Sequence, residues 1–211
     1  MSTRRVLLAD DHALFAEALA KLLSRNYEVV GVAASGRALL ESFRVCLPDV
    51  VVTDITMPLL SGLDCARRLR RDPHKAKIVF LTMHVDPDLA RECFKCGGSA
   101  FVVKECAFEE LVVAIEAAME NRRYLSRGLS AEFHENVANA AKMDSDYGLL
   151  TSRQEEILQL FAEGKTAKEI ASLMNLSTRT IEWYKYNMMR LLRIKNSAEL
   201  LRKAVRLKLV V

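Results

Sequence analysis

Residues 51–62 read VVTDITMPLLSG, and the reading of this stretch decides the fold. A β-branched run leads straight into Asp54; Met57, Pro58 and Gly62 then break the pattern. An apolar run without polar alternation suits a strand buried on both faces, the kind found in parallel sheets. Such a strand would end on a carboxylate with no basic residue close in sequence. What neutralises Asp54 must therefore come from elsewhere in the chain.

Working outward, similar runs recur: VLLAD from Val6, EVVGVAA from Glu28, DVVVTD from Asp49, KIVFLT from Lys77 and AFVVK from Ala100. Between them lie amphipathic stretches such as HALFAEALAKLLSR and DLARECFKC, and FEELVVAIEAAMENRRY closes the set. Strand–helix alternation predicts a doubly wound α/β domain with a five-stranded parallel sheet over residues 1–124. Residues 125–148 lose the strong apolar pattern and read as a linker with one short helix. Helical grammar returns over 149–211. Thr151 with Gln154 forms a capping-box signature, Gly164 is a stop, and Asn196 with Glu199 opens the last of four helices.

Half of the 211 residues are apolar, enough for a packed core. No uncharged run reaches the length of a membrane span, and Asp10 and Asp11 come too early for a secretory signal, so a cytoplasmic protein without a membrane partner is expected. Cys46, Cys65, Cys93, Cys96 and Cys106 are odd in number and sit in core-like segments. Cys93-x-x-Cys96 has no second pair or histidine cluster beside it, so buried thiols are favoured over a metal or redox site. Residues 1–124 carry 17 basic and 17 acidic side chains, whereas residues 151–211 carry 12 and 6. The excess positive charge is confined to the helical end, as expected if that end meets a polyanion, although a solvated basic face has the same charge.

In an open parallel sheet, ligands bind beyond the carboxyl ends of the strands. The predicted strands deliver Asp10-Asp11, Asp54, Thr82 and Lys104 to that edge. Each residue alone could be a helix cap or a solvated loop group. Together they are complementary. Carboxylates about 4 Å apart repel by about 1 kcal/mol per pair even in water, so the cluster must hold protons or recruit a cation. Hard oxygen donors suit Mg²⁺, and Asp54 can then attack a phosphoryl group while Lys104 and Thr82 stabilise its oxygens.

The pattern Asp10-Asp11, Asp54-x-x-Met57-Pro58-x-x-x-Gly62, Thr82 and Lys104 resembles the receiver domain of two-component response regulators over residues 4–124. The resemblance implies a flavodoxin-like sheet of order 2-1-3-4-5 and Asp54 as phospho-acceptor. It also implies Mg²⁺ on Asp11 and Asp54 directly, on Asp10 through water and on the Thr56 carbonyl. Thr82 would be the switch hydroxyl, and Phe101 falls at the switch-aromatic position, where a core aromatic is the competing reading. Met83 replaces the family's frequent alanine, and Glu105 a frequent proline.

The segment TAKEIASLMNLSTRTIEWYKYNMMRLL has helix–turn–helix grammar. Ile170, Ala171, Leu173, Leu176 and Ile181 are assigned to its inner angle, and a longer second helix fits a major groove about 12 Å wide. A generic helical hairpin is the alternative. Residues 149–211 resemble the LuxR-type DNA-binding domain, so the whole chain is similar to NarL/FixJ-type response regulators. By that resemblance Lys165, Lys168, Lys185 and Arg190 contact phosphates. Thr178, Arg179 and Thr180, which open the recognition helix, are also expected to contact DNA, and Glu182, Trp183 and Tyr186 face the groove. Trp183 could meet a thymine methyl or pack on its own module. The family's usual residues differ at Glu182, Trp183, Tyr184 and Arg193.

The expected function is transcriptional control gated by phosphorylation of Asp54. A sensor histidine kinase and double-stranded DNA are the partners, and a homodimer forms on phosphorylation. Two rivals stay open. One is a DNA-binding regulator whose receiver responds to a partner or to thiols rather than to phosphorylation. The other is an aspartyl-phosphate phosphatase, which would want a second acid where Thr56 stands.

Overall fold

The computed structural model describes residues 3–58, 60–83, 85–127, 129, 134–135, 150, 152–192, 194 and 196–200. The chain divides into two compact units, Met1–Ala141 and Lys142–Val211. Most of the expected linker, Thr151 of the expected capping box and Arg193 lie outside the described residues.

In the first unit β1 (Arg5–Ala9), α1 (Ala13–Leu23), β2 (Glu28–Ala33), α2 (Gly36–Cys46), β3 (Val50–Asp54), α3 (Gly62–Leu69), β4 (Lys77–Thr82), α4 (Pro87–Lys95), β5 (Ala100–Val103), α5 (Ala107–Met119) and β6 (Tyr124–Leu125) alternate. A single 3-10 turn, Lys104–Cys106, links β5 to α5. The sheet order is β2-β1-β3-β4-β5-β6 with every pair parallel. The doubly wound order is as expected, with one addition. Two residues after α5 fold back as a sixth strand on the free edge of β5, too short to leave an apolar run in the sequence.

Every residue of β3 is buried, as are the interiors of β1, β4 and β5. Leu19 and Leu23 of α1 and Leu111 and Ile115 of α5 cover one sheet face in a common core with Val6, Val50 and Leu81. Side-chain caps place the helices: the Ser61 hydroxyl accepts from the Asp64 amide at 3.1 Å, and Asp86 caps α4 with Pro87 behind it. The glycine that ends the opening stretch has a steric reason. A Cβ on Gly62 would lie 2.1 Å from the Asp54 carbonyl oxygen, so only glycine lets α3 start against the end of β3. All five cysteines are free. Cys65, Cys93 and Cys96 are buried as expected, whereas Cys46 and Cys106 are only half-buried. Burial pushes the Cys65 thiol up to about 12, which makes it a weak nucleophile.

The second unit contains α6 (Ser152–Ala162), α7 (Ala167–Leu173) and α8 (Thr178–Leu191), and a fourth helix occupies residues 197–200 before the described residues end. Gly164, with φ +85°, ends α6 as expected. Thr166 and Glu169 form a reciprocal capping box on α7, and Asn196 accepts from the Glu199 amide at 2.9 Å. Ile170, Ala171 and Ile181 form the inner angle and Leu176 is half-buried, but Leu173 is mostly exposed. α7 is only seven residues long, and Leu173 at its end turns off the inner stripe. Among the described residues, no helix is long and apolar enough to cross a membrane.

Candidate functional site

The strand register brings the chemistry-bearing residues of the first unit to one edge. Asp54 pairs with Leu81, which puts Thr82 one step beyond it, and Thr82 pairs with Val103, the residue before Lys104. Asp10 follows the last residue of β1 and is anchored by its amide to Ala33 O at 3.0 Å. Asp10, Asp54, Thr82 and Lys104 are all buried. The Lys104 ammonium answers the question posed by the opening stretch: it lies 2.7 Å from Asp54 Oδ2 and 2.7 Å from Asp10 Oδ2. The neutralising charge comes from fifty residues away. Burial pushes the Asp54 carboxyl above the usual carboxylate range, while Lys104 and the Thr56 amide, which donates to Asp54 Oδ1 at 3.1 Å, pull the other way.

Oxygens of Asp10, Asp11 and Asp54 and a ring nitrogen of His12 lie within 4.8 Å of one another. Three carboxylates facing one ammonium leave negative charge for a further cation, and the donors are predominantly hard oxygens. The residues therefore fit a metal ion. Thr56 is half-buried at the rim. The expected set missed His12, whose Nδ1 is 3.2 Å from Asp10 Oδ1 and 3.4 Å from Asp11 Oδ1. It also missed Phe15, whose ring lies 5.0 Å from the Lys104 ammonium. His12 was legible as the neighbour of the acidic pair; Phe15 carried no signal beyond its place on a helix. Phe101 lies wholly inside the core, and Met83 stands exposed beside Thr82.

In the second unit Lys168, Thr178, Glu182, Tyr186 and Arg190 are exposed, and Lys165, Arg179 and Lys185 are half-buried. Glu182 Oε2 and the Lys185 ammonium are 3.6 Å apart, and Lys185 lies 5.5 Å from the Phe161 ring centre. The Arg190 guanidinium donates to the buried Asn187 at 2.9 Å. Two residues expected to contact DNA are corrected. Trp183 is buried and packs edge-on against Tyr184 at 4.8 Å, and Thr180 is buried with its hydroxyl 2.9 Å from that of the N-cap Ser177. The cause is helical phase. At 100° per residue, positions 180, 183, 184, 187 and 188 share the inward stripe, whereas 178, 182, 186 and 190 fall outside it.

Residues 6–116 match the family model of the response regulator receiver domain, and residues 148–204 that of the bacterial regulatory proteins of the luxR family. The chain is 30% identical over 203 residues to the response regulator UvrY of Escherichia coli K12, covering 95% of this chain and 93% of that protein. A LuxR-family two-component response regulator from Aurantimonas sp. SI85-9A1 is 34% identical with a TM-score of 0.59, covering 67% of this chain and 99% of the other. A structure of two RcsB dimers bound to two parallel DNAs is 26% identical with a TM-score of 0.59, covering 95% and 97%.

Proposed function

Since the chain belongs to the NarL/FixJ-type response regulators, which join a receiver to a LuxR-type DNA-binding domain, we propose that it takes a phosphoryl group on Asp54 from a sensor histidine kinase and that this state controls dimerisation and binding to double-stranded DNA. One observation carries the reading: a buried Asp54 carboxylate and a buried Asp10 carboxylate share the Lys104 ammonium at 2.7 Å each.

In the transfer, an Asp54 oxygen attacks phosphorus as the kinase's histidine nitrogen departs with the bonding electrons, leaving an acyl phosphate. Lys104 exchanges a carboxylate partner for a phosphoryl oxygen, and the Thr82 hydroxyl donates to another. Asp10, Asp11, Asp54 and the Thr56 carbonyl are the groups that would hold Mg²⁺, which when bound supplies positive charge against the phosphoryl oxygens. Leu14 of α1 is exposed, as is Phe108 of α5, whose ring stacks edge-on against Phe15, so α1 and α5 offer apolar surface for a second copy. The likeness to RcsB, which binds DNA as dimers, supports a dimer on DNA.

Acetyl phosphate with Mg²⁺ should add one phosphoryl group, EDTA should prevent it, and an Asp54→Asn variant should stay unlabelled. Equal labelling of Asp54→Asn would refute the assignment, and light scattering that shows a monomer with phosphate and DNA both bound would refute the dimer. Release of phosphate from small phosphomonoesters with turnover would favour a phosphatase instead.

A further inference from the structure

The start of the expected linker is not a free tether. Tyr124 and Leu125 pair in parallel with Ala100 and Phe101, and the Ser126 amide donates to Phe101 O at 3.0 Å. Ser126 then turns its hydroxyl inward, fully buried. That oxygen accepts from the Val103 amide at 3.1 Å and donates to Glu110 Oε2, while Glu110 Oε1 accepts from the Arg127 amide at 3.1 Å. Glu110 belongs to α5 and is itself buried. A single hydroxyl thus joins three elements: the last amide of β5, the first turn of α5 and the chain leaving the sheet.

The residue after Val103 is Lys104, whose ammonium holds Asp10 and Asp54. One peptide unit therefore separates the candidate phosphorylation site from a buried polar relay that ends in the linker. Hydrogen bonds in a relay are geometry-specific in a way that apolar contacts are not: a shift of a few tenths of an ångström at the Val103 amide changes what Ser126 can accept and donate. Two apolar side chains would anchor a linker without that sensitivity.

We propose that Ser126 and Glu110 are positioning residues that couple the state of Asp54 to the linker through the end of β5, an inference that rests on the phosphorylation reading above. When Lys104 moves to the phosphoryl group, the Val103 amide moves with it, the Ser126–Glu110 pair loosens, and the chain after Leu125 is released from the sheet edge.

The experiment uses the full chain with acetyl phosphate and Mg²⁺, and reads phosphoryl incorporation together with amide hydrogen exchange. In wild type, phosphorylation should speed exchange at Ser126 and Arg127 while leaving β1 unchanged, by about 5–150-fold if the coupling has the usual strength. In Ser126→Ala, labelling of Asp54 should persist, but those amides should exchange fast with or without phosphate. Ser126→Thr, which keeps the hydroxyl, should restore the phosphate dependence. Glu110→Gln, which keeps the shape, should weaken it while the chain stays folded. Labelled wild type with unchanged exchange at 126–127 would overturn the coupling and leave the phosphorylation reading intact. So would an Ser126→Ala variant that keeps the wild-type response with only a lower melting temperature. Wild type that takes no label would instead overturn the phosphorylation reading, and this inference with it.

Discussion

The two units bury polarity in opposite ways. Among the described residues, the first unit buries full charges, Asp10, Asp54, Lys104, Asp86 and Glu110, whereas the second buries only the neutral Gln154, Thr180 and Asn187. Its described ionic side chains lie at or near the surface. Each arrangement suits the proposed chemistry. Phosphoryl transfer needs charges held in fixed places away from water, where they act strongly on developing charge. Meeting a DNA backbone needs solvated cations that exchange counterions for phosphates, and burial would only weaken them.

The largest expected contrast is in stability. Lys104→Ala leaves two buried carboxylates without their shared cation, so urea unfolding without Mg²⁺ should show a loss of about 3–5 kcal/mol. Lys168→Ala, at an exposed site, should change stability by less than about 0.5 kcal/mol. Equal losses would erase the contrast.

A second test sharpens the role of the outer face of α8. Glu182 is exposed, and the donor available to a carboxylate in the major groove is cytosine's exocyclic amine. Glu182→Ala should relax choice at one base pair of each half-site by about 1–3 kcal/mol, read by selection from a random DNA pool. An identical selected motif in wild type and variant would leave Glu182 as a helix-surface charge.

The cations should behave differently from Glu182. If Lys165, Lys168, Lys185 and Arg190 each meet one phosphate in a dimer, log K against log salt should fall with a slope of roughly −7. Lys168→Ala should weaken all sequences alike and flatten that slope by about 2, since a dimer loses two contacts. An unchanged slope would exclude Lys168 from the interface.

The smallest effect belongs to the Glu182–Lys185 pair. Both side chains are partly exposed and 3.6 Å apart, so a double-mutant cycle on folding should give about 0.3–0.5 kcal/mol, shrinking with salt. A value several times larger would mean that charge in the second unit is held as rigidly as in the first.

The sequence alone determined the alternation of buried parallel strands with helices and the acidic–lysine constellation, because such strands write uninterrupted apolar runs and their ends fall at one edge whatever the helices do; the strand order came only through the family resemblance. It also determined the cap at Asn196 and the stop at Gly164, since caps depend on side chains only three or so residues apart. Tertiary structure decided the rest. That Lys104 bridges Asp10 and Asp54, that Phe15 lies against its ammonium, and that Ser126 is drawn onto β5 by Glu110 all depend on distances between residues far apart in the chain. β6 is two residues long and has no periodicity to read. Trp183 is the sharpest case. Family register pointed it at DNA, yet the phase of α8 turned it into the core, because a large aromatic on the inward stripe gains more from burial than from water.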